Sequence, residues 1–151
     1  MAELSPTFLK PTLLDRWINR LFGLIVGWGF GLSHNYLLQV PGRRSGRIYS
    51  TPVNVLDMNG KRFLVGPRGE TQWVRNARVS GEVWLKKGRR RQQFRLRPVA
   101  NEDKPAILKA YLDRFKTTVQ RYFPIPAASP LDAFQPIAGQ YPVFELLPVT
   151  T

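Results

Sequence analysis

The chain has 151 residues, with 23 Lys and Arg against 10 Asp and Glu and a formal net charge of +13. It contains no cysteine and one histidine, His34, which excludes disulfides, thiolate nucleophiles, multi-histidine metal centres and any triad needing a second histidine. The length suits a single domain over residues 1–151.

Near the N-terminus, Leu14, Trp17, Ile18, Leu21 and Ile25 recur at helical spacing beside Asp15, Arg16, Asn19 and Arg20. That pattern predicts an amphipathic helix within about 12–32. Its apolar run from Leu21 to Leu32 is 12 residues long, too short to span a bilayer. The helix is expected to pack on the core or on a second subunit, with a membrane-surface position as the alternative. No cleavable signal-peptide layout accompanies it, so the expected location is the cytoplasm, with membrane association through this helix as the variant.

Residues 35–41 read as a strand ending at a turn from Gly42, and residues 48–57 as a second strand. Met58-Asn59-Gly60 carries the Asn-Gly signal of a tight hairpin, because both residues tolerate positive φ, and residues 61–66 return as the partner. Residues 70–79 predict a short helix with Trp73, Asn76 and Ala77 on one face. Residues 82–87 and 91–99 predict a hairpin about Lys87-Gly88-Arg89, in which Phe94 and Leu96 alternate with Arg95 and Arg97. Asp103 as N-cap, Pro105 in the first turn and the stripe Ile107, Leu108, Tyr111, Leu112 and Phe115 predict a helix over 103–116. A loop with four prolines leads to a last strand at 142–148. This order predicts an α+β fold that is mainly β: a small antiparallel barrel with helices over its openings. No G-x-G-x-x-G opens a βαβ unit, which disfavours a Rossmann domain.

The excess charge is concentrated. Residues 43–97 hold 15 basic and 3 acidic side chains, whereas residues 1–42 hold 3 and 2 and residues 98–151 hold 5 and 5. Such a field attracts phosphate esters, acidic tails, nucleic acid or acidic lipid. Gly42-Arg43-Arg44-Ser45-Gly46 combines two guanidinium forks with a hydroxyl, a set that suits phosphate as well as a solvated turn. Gly66-Pro67-Arg68-Gly69 closes a strand before a helix, where backbone N–H groups and small residues admit a flat, electron-rich ligand; an ordinary loop is the alternative. Trp73 and Asn76 share a helix face, and core packing is the plainer role for the tryptophan. A helix-interior asparagine needs a reason to be there. Arg89-Arg90-Arg91 is read as a charged hairpin tip; no recognition pattern for nucleic acid accompanies it.

As an ordered set, Val40 to Gly46, Thr51-Pro52-Val53, Val65 to Gly69 and Trp73-Val74-Arg75-Asn76 resemble the deazaflavin-dependent nitroreductase and F420H2-dependent quinone reductase family. The resemblance implies a split antiparallel β-barrel of the FMN-binding-like kind, with coenzyme F420 as cofactor and FMN as the alternative. It implies that Arg43, Arg44, Ser45 and Gly46 hold the phosphate, with Arg68 near it. By the same carry-over Gly66, Pro67, Gly69, Trp73 and Asn76 would line the ring and its side chain, with Thr51 and Pro52 beneath. Hydride would pass to a quinone, a nitroaromatic or a similar flat acceptor, and two chains would pair to complete their pockets. Tyr49 stands where the family often has a further basic residue. Tyr49, Tyr122 and Tyr141 are the candidate catalytic tyrosines, and no metal is expected. The competing readings are a non-catalytic barrel holding flavin, haem or lipid, and a basic nucleic-acid or membrane-surface binder.

Overall fold

The computed structural model describes residues 34–149. The predicted N-terminal helix lies outside them, as do the termini of the proposed single domain. Seven strands form one antiparallel sheet: β1 (Asn35–Pro41), β2 (Ile48–Asn54), β3 (Leu56–Met58), β4 (Lys61–Val65), β5 (Glu82–Lys87), β6 (Arg90–Pro98) and β7 (Val143–Pro148). Their order is β2-β1-β5-β6-β7-β4-β3. The two edge strands β2 and β3 are separated in the chain by Val55 alone. The sheet must therefore curl until its edges approach at Val55, which makes it a half-barrel in which, among the described strands, β2 pairs with β1 alone. The predicted single strand at 48–57 thus becomes two, bent at a buried Val55 whose N–H donates to the His34 carbonyl at 2.9 Å. The hairpin at Asn59-Gly60 is observed, with φ of 54° and 75°.

Period-two alternation sorts side chains to the two faces of the curled sheet. Leu38, Val40, Leu64, Val83, Leu85, Phe94 and Leu146 fill the inside, joined by Val55 and by Ala77 of the first helix. That helix, α1 (Gln72–Ser80), links β4 to β5 across one mouth of the barrel and ends at Gly81, which has φ 72° and whose N–H donates to the Ala77 carbonyl. At the far mouth Arg62 reaches across the interior and donates to the Tyr36 hydroxyl at 2.8 Å, joining β4 to β1.

The second helix, α2 (Lys104–Val119), does not cover an opening. It packs on the outer face of the β3-β4-β7 side, where Leu56, Phe63, Val65 and Val143 meet Leu108, Tyr111, Leu112 and Phe115. The expectation of helices over both mouths is corrected here. The outward Leu56, Phe63, Val65 and Val143 are themselves apolar, so this stretch of sheet needs a cover on both faces. The helix also runs past its predicted end at 116, because no glycine or proline intervenes before Pro124. Asp103 occupies the N-cap position without a side-chain capping bond. Among the described residues, no helix is long and apolar enough to cross a membrane.

Candidate functional site

Two turns and one helix converge at the mouth covered by α1. The first turn joins β1 to β2. Gly42 N–H donates to the Arg47 carbonyl at 2.7 Å and Gly46 N–H to the Gly42 carbonyl at 2.9 Å. Ser45 Oγ accepts from Arg47 N–H at 3.1 Å, so the hydroxyl proton remains available to an acceptor. The half-exposed Tyr49 ring lies over Gly42. A Cβ on that glycine would stand 2.6 Å from Tyr49 Cε2, so only glycine permits this approach.

The second turn joins β4 to α1. Gly69 N–H donates to the Gly66 carbonyl at 3.1 Å, while Gly66 N–H donates to the Pro142 carbonyl at 2.8 Å, which ties the turn to the segment entering β7. Pro67 and Arg68 are half-buried within it. Thr71, the N-cap of α1, makes no side-chain capping bond, and its buried Oγ1 has no hydrogen-bond partner among the described residues.

Asn76 joins the first turn to α1. It is 5 % exposed, and its Oδ1 accepts from both the Arg43 backbone N–H, at 3.1 Å, and Arg43 Nη1, at 2.8 Å. Gln72, one helical turn earlier, accepts from the same Nη1 at 3.0 Å. A helix-interior asparagine has its reason here: it fastens the first turn to α1. Replacing Asn76 with alanine strands the Arg43 N–H and frees the turn. A loss of about 1–3 kcal/mol of stability is expected in urea unfolding, and a loss under about 0.5 kcal/mol would contradict this assignment.

Arg43 differs from three other arginines in the company it keeps. Arg62 pairs with Asp57 at 3.2 Å, Arg78 with Glu70 at 2.6 Å, and Arg97 with Glu145. The hydrogen bond that Arg78 donates to Glu70 raises the Arg78 pKa above its ordinary value, against an opposing effect of burial. Arg43 instead rests on two neutral amide oxygens, and the first turn of α1 contains no acid. Its orientation is set, and among the described residues no carboxylate pairs with it.

The remaining predicted residues are distributed as follows. Arg44, Ser45 and Gly46 are exposed on the first turn. Thr51 and Pro52 pair with Leu38 and Leu37, which places them on opposite faces of the sheet, so their side chains do not line one surface together. Thr51 shares the inner face with Leu38 and Tyr49 with Val40. Trp73 packs partly on the inner core, 6.3 Å from the Phe144 ring. Tyr141 is fully buried in the layer beneath α2, stacks on Phe123 at 4.5 Å, and donates its hydroxyl to the Tyr122 carbonyl at 2.6 Å. Tyr122 sits in the same layer. Of the three candidate tyrosines, Tyr49 is the one at the mouth. Gln72 and Thr71 were not singled out by sequence reading. The i, i+4 spacing of Gln72 and Asn76 was the available signal for the former, and the N-cap position for the latter. In the predicted hairpin tip, Arg91 is held in place, stacked 4.7 Å over Trp84 and donating from Nε to Gln39 Oε1.

The donor set fits a phosphate-bearing ligand: an oriented, uncancelled guanidinium, a second arginine, a hydroxyl with a proton to give, and a buried hydroxyl without a partner beside them. Curled seven-stranded sheet and flanking helices define a split β-barrel of the FMN-binding-like class, shared with solved structures at low identity. A protein of unknown function from Agrobacterium tumefaciens is 16% identical, with a TM-score of 0.57 over 93% of this chain; the chain spans 59% of that protein's length. The heme storage protein HutZ from Vibrio cholerae is 10% identical, with a TM-score of 0.56, covering 78% of this chain and 83% of its own. An F420H2-dependent reductase, FDR-A, is 17% identical, with a TM-score of 0.51, covering 76% of this chain and 94% of its own. No curated protein matches the chain. Residues 15–123 match the family model of the F420H(2)-dependent quinone reductases, and the chain belongs to that family. It is a family of oxidoreductases whose cofactor is F420.

Proposed function

We propose that this chain transfers hydride from reduced coenzyme F420 to a quinone, and that nitroaromatics and similar flat acceptors are further substrates. The observation that supports the reading best is Arg43, aimed by Gln72 and Asn76 and left uncancelled at the mouth where both glycine-arginine turns meet. When bound, the deazaflavin supplies the hydride; the chain supplies orientation and electrostatics. Arg43, Arg44 and the Ser45 hydroxyl hold the coenzyme's phosphodiester, and Arg68 adds positive charge from the neighbouring turn. Thr71, with its buried hydroxyl, and the 66–69 turn face the ring-bearing end. Tyr49 is the candidate for contact with the acceptor, since its ring flanks the same turn and is 50% exposed. A homodimer is the proposed assembly, and one similar split-barrel structure is described as a domain-swapped dimer.

Titration with F420 and with FMN, each followed by fluorescence, tests the cofactor. Oxidation of the reduced coenzyme across a panel of quinones and nitroaromatics tests the reaction. Micromolar F420 binding with quinone-dependent oxidation is expected. Tighter binding of FMN, or F420 binding without turnover on any quinone, would overturn the proposal.

A further inference from the structure

We infer that Gln72 is a positioning residue of the proposed anion site, and that it acts by being neutral: it orients Arg43 without discharging it. The inference rests on the functional reading above only for the identity of the anion. Three other described arginines, Arg62, Arg78 and Arg97, are each paired with a carboxylate. Arg43 Nη1 has two acceptors, Gln72 Oε1 at 3.0 Å and Asn76 Oδ1 at 2.8 Å, and both belong to amides. Glu70, the acid nearest Gln72 in sequence, is engaged by Arg78 through Nε at 3.1 Å and Nη2 at 2.6 Å. An amide oxygen carries a partial charge. It fixes the plane of the guanidinium while leaving the full positive charge to act on an incoming phosphate. A carboxylate at position 72 would have the same reach and a similar shape. It would form an ion pair with Arg43 and place a negative charge beside the ligand's own.

Gln72 lies on the exposed side of α1, whereas Asn76 is buried and fastens the backbone of the turn. Changing residue 72 therefore alters the electrostatics with little effect on folding, and separates charge from architecture.

The experiment compares wild type, Gln72→Glu and Gln72→Ala with two probes. One is F420, followed by its fluorescence. The other is inorganic pyrophosphate, followed through the backbone amide NMR signals of residues 42–47, which needs neither the coenzyme nor turnover. Gln72→Glu is expected to weaken both probes about tenfold, and Gln72→Ala about two- to threefold. Thermal stability of the glutamate variant should equal or exceed that of wild type, because Arg43 gains an ion pair. Its deficit for pyrophosphate should shrink as pH falls toward about 4, where the introduced carboxyl becomes neutral. Equal affinity of wild type and Gln72→Glu for the probes they bind, or no binding of either probe by wild type, overturns the inference. Wild type that binds pyrophosphate but not F420, with the glutamate variant weakened, upholds the inference and overturns the functional reading instead.

Discussion

Replacing Arg43 with alanine is expected to weaken F420 binding by about a hundredfold or more while leaving the protein folded. A guanidinium hydrogen-bonded to a phosphodiester contributes through charge-assisted bonds of about 1.5–3 kcal/mol each, and a hundredfold corresponds to about 2.7 kcal/mol. The pre-setting of Arg43 by Gln72 and Asn76 adds to its leverage, because little side-chain entropy remains to be lost on binding. Folding should suffer little, since the main-chain bond from Arg43 to Asn76 survives the substitution. Arg91→Ala is the control. It removes the same unit of charge from the hairpin near the opposite mouth, so it lowers the general attraction without touching the turn. Fluorescence titration of both variants at two salt concentrations separates a specific contact from the global field. An Arg43→Ala affinity within threefold of wild type, or an equal loss in Arg91→Ala, would show that the turn is not the anchor.

Tyr141→Ala should cost about 3–5 kcal/mol of stability. The ring is fully buried, stacked on Phe123, and surrounded by α2 and the loop that returns to β7. Tyr141→Phe retains the ring and loses the bond to the Tyr122 carbonyl, at about 1–2 kcal/mol. Burial pushes the Tyr141 phenol up to about 12 from an ordinary value of 10.0. A phenol harder to ionise in the native state than in the unfolded chain contributes stability that is complete below pH 10 and lost as pH rises toward 12. The phenylalanine variant should lack that part of the alkaline loss. Urea melts at neutral pH and near pH 11 measure both effects. Quinone-dependent turnover of Tyr141→Phe, measured well below its melting temperature, should match wild type. A large fall in turnover without a change in stability would return Tyr141 to the list of catalytic candidates.

Most of the barrel is legible in the sequence, because its signals are local. The Asn59-Gly60 hairpin follows from two residues that accept positive φ. Strands β5 and β6 follow from alternation, and α2 from a stripe at helical spacing. What alternation could not show was which face of each strand turns inward, since a curled sheet with a helix outside it has apolar positions on both faces. That is why α2 was expected over a mouth and is found on the outer side of β3, β4 and β7. The same limit separates Thr51 from Pro52, adjacent in sequence and therefore on opposite faces. Tyr141 and Tyr122 were candidates by residue type alone. Their burial beneath α2 depends on a loop path that proline content announces but does not route.

The sequence by itself determined the pieces from which the proposed site is built: two glycine-arginine turns, a basic middle segment and a tryptophan and asparagine three residues apart, each a property of neighbouring residues. Only the tertiary structure decided how those pieces act together. Asn76 lies 33 residues beyond Arg43, and its bonds to that residue's main chain and side chain exist because α1 crosses the mouth where the β1–β2 turn emerges. Gln72 acquires its part for the same reason. Electrostatic compensation is a matter of distance in space, so the neutrality of Arg43's partners is invisible in a chain that counts its charges along one dimension.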